Sequence, residues 1–562
     1  MFATTNNDDG NVVVFMIVAI IICVWRYYSR RWRPAGNEFG QASFAGERLL
    51  RAWWMLGRRG LILGRTLLSG ALIRMPRYCH ILLIGGTGSG KGIGIIIPNL
   101  LTYSRGSIVC FDTKGDLFAA TAGRRQRRGE RIIRLAPFDN GADKLNPLDT
   151  IPPGSPLLCD YARAMAESLV VRQGTEHDPF WNDKAAQLIC ALLVYILIRL
   201  RDVDRNLCSL ADIINDPMKV AAVIDKLEML GGIPARMAAG LKSLFEKPGV
   251  LSKEGCGVFS TAIRHLSFLD SEMVARSLEA STFDVRCLLE PGVTLYLQIP
   301  PEMLEAQRGL LRCWVSALIR VIGSSGSEEK NEVLLILDEA SALGSLSGLE
   351  EALVRGRSAG VRMLLAYQSD SQVRTAFRDK PTLIYDNCGT QIHMGPASSY
   401  EAAERLSKSL GDWTQVVGSY GENSNRSSST NGDKGGSMSR GESMSYAPGG
   451  RALLRPEEIL RIGEEYIIAF IRGMPSPIVA RRIEWYADRE FNPAAKKQPR
   501  RRSVSASWIV WWVLVFVLFI LVIRAKVNGY GYWSPEFQEG GEQWPRSERG
   551  MPRRCSGWDS RN

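Results

Sequence analysis

The stretch Ile81-Leu82-Leu83-Ile84-Gly85-Gly86-Thr87-Gly88-Ser89-Gly90-Lys91 decides the fold. Four consecutive aliphatic residues read as a buried strand, the glycines as a tight turn, and Ile93 to Leu101 as the opening of a helix. Between a strand and a helix, such a turn lets successive backbone N–H groups point into one concavity. The helix N-terminus adds its dipole there, and Lys91 reaches the outer phosphates. Gly85, Gly86, Thr87, Gly88, Ser89, Gly90, Lys91 and Gly92 are therefore expected to hold the phosphates of ATP. Gly92 stands where Ser or Thr usually offers a hydroxyl to Mg2+, so the metal must lean on other groups.

Those groups are expected from Val333-Leu334-Leu335-Ile336-Leu337-Asp338-Glu339, an apolar strand ending in two acids. Asp338 is expected to hold the hydrated Mg2+, and Glu339 to orient or deprotonate the attacking water. A further strand, Val361 to Ala366, ends at Tyr367-Gln368-Ser369. Gln368 reads either as a γ-phosphate sensor and water-positioning group or as an ordinary polar strand end. Arg355 and Arg357, in a glycine-bearing loop, read either as transition-state charges for a neighbouring subunit's nucleotide or as solvated loop arginines. The catalytic candidates are thus Lys91, Glu339, Gln368 and Arg357.

Outward from the loop, strand signals at Ser107 to Phe111 and Arg131 to Leu135 alternate with polar or glycine-bearing segments, the rhythm of an α/β parallel sheet. From Leu157 to about Phe283 long helical patterns take over. Strands return at Val293 to Ile299, Glu332 to Leu337, Val361 to Ala366, Gln391 to Met394 and Tyr466 to Ile471. One α/β domain split in sequence by an inserted all-α domain accounts for this order. The sheet domain is expected over 78–156 and 284–490, and the insertion over 157–283. Within the second part, 418–450 is rich in Gly, Ser and Asn and is expected to be a flexible loop, having too little apolar surface to bury.

The 562 residues exceed one hydrophobic core, and the net charge of +12 suits an anionic partner, nucleic acid or acidic lipid. The 11 cysteines show no Cys-x-x-Cys pair, so neither a zinc site nor a disulfide framework is expected. Val12 to Trp25, extended by Tyr27 and Tyr28, reads as a membrane span, and Trp508 to Ile523 as a second. Basic residues at Arg26 to Arg33 and Lys496 to Arg502 place everything between the spans in the cytoplasm. The resulting plan is an N-terminal anchor at 1–33, a juxtamembrane linker at 34–77, a basic juxtamembrane segment at 491–506, a transmembrane helix at 507–524 and a periplasmic tail at 525–562. The run Arg124-Arg125-Gln126-Arg127-Arg128, with Arg131 and Arg134, reads either as a DNA-phosphate contact or as a solvated helix face or subunit contact.

The order of short motifs resembles the type IV secretion coupling proteins, the TraG/TraD-like conjugation ATPases of bacteria. The resemblance rests on Gly88 to Gly92, Ile97-Pro98-Asn99-Leu100-Leu101, Asp112-Thr113-Lys114-Gly115-Asp116 and Leu145-Asn146-Pro147-Leu148-Asp149. Pro179-Phe180-Trp181, Leu337-Asp338-Glu339, Gly356-Arg357 and Leu453 to Glu458 continue it. It implies a homohexamer of RecA-like P-loop NTPase domains in the bacterial inner membrane, each bearing an all-α domain. It implies ATP and Mg2+ as cofactors, and partners among the inner-membrane components of a secretion channel, the lipid bilayer, and relaxosome-bound single-stranded DNA or effector proteins. Lys114 would contact nucleotide or a neighbouring subunit, the alternative for Asp112 to Asp116 being a strand-to-helix turn with its own local hydrogen bonds, and a glycine at position 92 is acceptable in this company. The spans depart from the resemblance, because familiar members carry two near the N-terminus and here one stands at each end. Two functions remain open: an ATPase that drives substrate transfer, or a nucleotide-gated docking scaffold without motor activity.

Overall fold

The computed structural model describes residues 38–77, 80–152, 154–172, 178–324, 332–356, 360–377, 380, 382–427 and 437–495, with backbone alone at 416, 418–427 and 437–446. The spans expected at 1–33 and 507–524, the tail at 525–562 and Arg357 lie outside the described residues. Among the described residues one helix, Phe180–Arg199, is long and apolar enough to cross a membrane, but 72% of its apolar window is buried inside the structure. It is a core helix of the insertion.

The strands run, in chain order, β1 Leu61–Arg65, β2 Leu72–Met75, β3 His80–Gly85, β4 Gly106–Phe111, β5 Arg131–Leu135, β6 Phe245–Lys247, β7 Val250–Leu251, β8 Val293–Leu297, β9 Glu332–Leu337, β10 Val361–Tyr367, β11 Cys388–Met394, β12 Asp412–Ser427, β13 Ser437–Ala452, β14 Tyr466–Ile471 and β15 Ile478–Arg481. Eleven of them form one sheet in the order β2-β1-β15-β14-β11-β3-β10-β9-β4-β8-β5. From β11 to β5 all pairs are parallel. The remaining four strands add on antiparallel.

Both faces of the parallel part are covered, which is why β3, β4, β8, β9 and β10 are buried at every residue. The pleat sends alternate side chains to opposite layers. In β3, Leu82 and Ile84 join the core that continues into the inserted helices. Ile81 and Leu83 face the other core, with Ile95, Ile96 and Leu100. The insertion carries Leu158–Leu169, Phe180–Arg199, Leu207–Ile214, Pro217–Met229, Gly232–Leu241, Lys253–Leu266 and Glu272–Leu278 as helices.

Three expectations need amendment. The insertion is not purely helical: β6 and β7 form a small antiparallel hairpin across Pro248-Gly249, with Gly249 at φ +78°. The stretch 34–77 is more than a linker, since β1 and β2 close one edge of the sheet. Asn99 pins β1 to the helix behind the phosphate loop, accepting from Ile62 N at 2.7 Å and donating to Ile62 O at 2.9 Å. Finally, 418–450 is not irregular where it is described, because β12 and β13 pair in unbroken register from Asp412↔Ala452 to Ser427↔Ser437. The composition argument counts buried apolar surface, whereas a two-stranded ladder satisfies its backbone groups by pairing alone.

Candidate nucleotide site

The parallel order sets the site. β10 lies between β3, which leads into the glycine loop, and β9, which ends at Asp338-Glu339. The C-terminal ends of three adjacent strands therefore converge, the crevice where open α/β sheets bind ligands.

Gly88 and Gly90 take φ of +83° and +80°, the left-handed region that a residue with a Cβ resists. A Cβ at Gly85 would lie 2.5 Å from Ser89 Oγ. Lys91 Nζ folds back to donate to Gly85 O at 2.6 Å and lies 3.5 Å from Gly86 O. Burial lowers its pKa, while Asp338 and Glu339 oppose that shift. Beyond Lys91 the helix opens as a π turn, Gly92–Ile96, before settling into Ile97–Thr102. Pro98 has no N–H to offer the carbonyl of Gly94 four residues back, which favours the wider turn.

Gln368, at the end of β10, joins the other two strand ends. Its Nε2 donates to Glu339 Oε2 at 2.8 Å, and its Oε1 accepts from Thr87 Oγ1 at 3.3 Å. The Gln368 N–H in turn donates to Gln372 Oε1 at 2.8 Å. The other carboxylate oxygen of Glu339 accepts from Ser341 Oγ. The acid is thus oriented from both sides, and one of its tethers runs through Gln368 to the phosphate loop.

Burial raises the Asp338 carboxyl to a pKa of about 6; Lys91 opposes the shift, and Asp112 and Glu339 reinforce it. Asp112, fully buried at the end of β4, accepts from Phe118 N at 2.8 Å and from Gln298 Nε2 at 3.2 Å. Lys114 is exposed but close enough to act electrostatically on both Lys91 and Asp338. A desolvated carboxylate beside two further acids fits a magnesium ion, which keeps several waters and takes only one or two protein carboxylates. Among the described residues no group of three or more potential metal ligands occurs. The chain has room at position 92, where a Cβ would meet nothing closer than Leu117 Cδ2 at 3.8 Å. The Ser89 hydroxyl is buried with no hydrogen-bond partner among the described residues. A cavity of about 690 Å³ adjoins Gly85 and Gly86 on the β11 side, with Gln368 and Tyr385 in its wall.

Of the arginine readings, that of the basic run changes. Arg355 is exposed and pairs with Glu351 at 3.0 Å on its own helix. In the basic run, Arg125 is wholly buried: it pairs with Glu130 at 2.5 Å and donates to Thr294 Oγ1 at 2.7 Å and to the Leu100 carbonyl. Arg124 donates to the Phe491 carbonyl. These two arginines of the run are internal ties. The sequence reading missed Ser341 and Gln372, whose signal was local, and Arg482, which donates to Ser89 O at 2.9 Å from 393 positions further along the chain.

The sequence pattern of the family described as Type IV secretory system Conjugative DNA transfer matches residues 54–508. The conjugal transfer protein TraG of Escherichia coli is 26% identical over 466 residues, covering 76% of this chain and 71% of TraG. Protein VirD4 of Rhizobium radiobacter is 26% identical over 510 residues, covering 87% of this chain and 69% of VirD4. Among solved structures, the unbound bacterial conjugative coupling protein TrwBdeltaN70 superposes with a TM-score of 0.54 at 21% identity, over 83% of this chain and 98% of that one. The plasmid coupling protein TrwB in complex with ADP and Mg2+ gives 0.53 at 20% identity, over 83% and 98%. The fold is shared along nearly the whole of those chains. Because the family match takes in both halves of the split sheet and the helical insertion between them, this chain belongs to the type IV secretory system conjugative DNA transfer family.

Proposed function

We propose that this chain is an ATPase that recruits relaxase-bound single-stranded DNA, effector proteins, or both, and couples ATP hydrolysis to their delivery into a type IV secretion channel. The observation that carries the reading is the Thr87–Gln368–Glu339 linkage, which joins the phosphate loop to the acid placed to activate water. A site built only to bind nucleotide has no need of an acid so oriented, and this favours the motor over a docking scaffold.

In this reading the loop N–H groups and Lys91 bind the phosphates of ATP, and Asp338 holds the hydrated Mg2+. When bound, Mg2+ neutralises charge on the phosphates and polarises the bond to be broken. Glu339, held by Gln368 and Ser341, takes the proton of the attacking water at its carboxylate, and Gln368 orients that water. Arg357 is assigned to a neighbouring subunit's nucleotide in a homohexamer. Solved structures of TrwB in complex with a non-hydrolysable ATP analogue and with ADP and Mg2+ support the choice of cofactors. The apolar, aromatic-flanked stretches at 12–28 and 508–523 support a multi-pass anchor in the bacterial inner membrane, where the chain meets the lipid bilayer and the channel's inner-membrane components.

The test is substrate cross-linking during transfer in cells. DNA, effector protein or both should be trapped on the wild-type chain, and Lys91→Ala should leave the substrate untransferred. Full transfer by Lys91→Ala removes the ATPase from the account.

A further inference from the structure

Arg482 touches the phosphate loop from outside. It follows β15 directly, and its backbone N–H is fixed by Glu465 O at 2.7 Å. Its Nη1 donates to Ser89 O at 2.9 Å. The stem lies across Gly90 and Gly94: a Cβ at Gly90 would come 2.6 Å from Arg482 Nη1, and one at Gly94 would come 2.5 Å from Arg482 Cγ. Residues four apart share one face of a helix start, so these two glycines form a groove that receives the arginine. Inside it, Arg482 Nε is buried with no hydrogen-bond partner among the described residues, and Glu484 stands 4.0 Å from Nη2. The groove and the Ser89 carbonyl hold the guanidinium.

The consequence follows from peptide geometry. In a planar trans peptide the C=O and the next N–H point to opposite sides. With the Ser89 carbonyl turned outward to Arg482, the Gly90 N–H is turned inward, toward the concavity that receives an anion. This peptide turns about Ser89 ψ and Gly90 φ, and Gly90, at φ +80°, brings no Cβ to resist its rotation on that side. A rotated peptide would present a carbonyl oxygen to the phosphates in place of a donor. We propose that Arg482 is a positioning residue that locks the Ser89–Gly90 peptide in its phosphate-binding orientation, tying the loop to the antiparallel strands at the sheet's edge. This rests on the nucleotide-binding reading of the loop.

The test uses the full-length chain in lipid nanodiscs, with a fluorescent ADP analogue and Mg2+ as the probe and with thermal unfolding recorded with and without ADP. Arg482→Ala should weaken ADP binding about tenfold, as expected for one charge-assisted hydrogen bond. Its nucleotide-free midpoint should stay within about 2 °C of wild type, while the rise induced by ADP shrinks. Arg482→Lys keeps a cationic donor and should recover most of the affinity. In ATP hydrolysis the loss should fall on KM and leave kcat at saturating ATP close to wild type. Wild-type ADP affinity in Arg482→Ala overturns the inference, and so does an equal loss of midpoint with and without ADP, which marks a merely structural contact. Should Arg482→Ala fail to fold, Arg482→Lys and Arg482→Gln carry the test: equal, wild-type affinity in both overturns it, and retention in Lys with loss in Gln supports it. A wild-type chain that binds no ADP overturns the nucleotide reading together with this inference.

Discussion

Gln368 contributes no more than a primary amide, yet its position makes it the joint between two motifs. One end accepts from Thr87 in the loop and the other donates to Glu339. If Gln368 positions the water as proposed, Gln368→Ala should lower kcat about 100-fold while KM changes by less than about threefold, since that interaction would matter when the water is positioned and not when the phosphates bind. Steady-state ATP hydrolysis separates the two constants. Asp338 gives a pH prediction. Its folded pKa, about 6, lies above its ordinary 3.8. Between those values the native chain holds a proton that the unfolded chain has released, so the ligand-free protein loses stability as pH rises through this window. If Asp338 holds Mg2+ as proposed, protons and Mg2+ compete for the same carboxylate, so Mg2+ affinity should fall about tenfold per pH unit below about 6 and level off above it. Calorimetric titration across pH 5 to 8 checks this, and Asp338→Asn should flatten the profile.

At the scale of elements, legibility followed locality. β3 and β9 carry continuous apolar runs because helices cover both faces, and such runs can be read directly from Ile81 to Ile84 and Val333 to Leu337, as can Met363 to Ala366 in β10 beyond the buried Arg362. The loop and the acid pair are contiguous with those strands, so Lys91, Asp338 and Glu339 could be named in advance. Arg482 could not, because nothing near it in sequence marks the loop it reaches. The basic run misled in the opposite direction. Composition shows five adjacent charged or polar residues, but only the fold shows that Arg125 turns inward against Glu130, Thr294 and the end of the helix at Leu100. Arg125→Ala should therefore destabilise the chain by about 3 kcal/mol or more, because it leaves Glu130 without its partner. Urea unfolding measures this, and the salt dependence of DNA binding should be unchanged. β1 and β2 were hidden for a related reason: Leu61 to Leu63 is short, and its place on the sheet edge depends on Asn99, which is distant in sequence.

For the whole molecule, the chain leaves the parallel sheet after β5, builds a helical body, and returns at β8 to complete the same sheet. The phosphate loop comes from before the excursion and the acid pair from after it, so the two meet only where the returning chain adds β9 and β10 to the sheet. Movement of the glutamine-linked loop and acid would be felt by the helices packed on Leu82, Ile84, Leu335 and Leu337, which share one continuous core with the insertion. That shared core offers a physical route from nucleotide state to substrate handling. The central claim is that hydrolysis at this site drives transfer. It is tested most directly by Glu339→Gln in the full-length chain, measuring ATP binding, ATP hydrolysis and substrate transfer together. The account predicts ATP affinity near wild type, hydrolysis reduced about 100-fold or more, and transfer lost; transfer at the wild-type level without hydrolysis would contradict it.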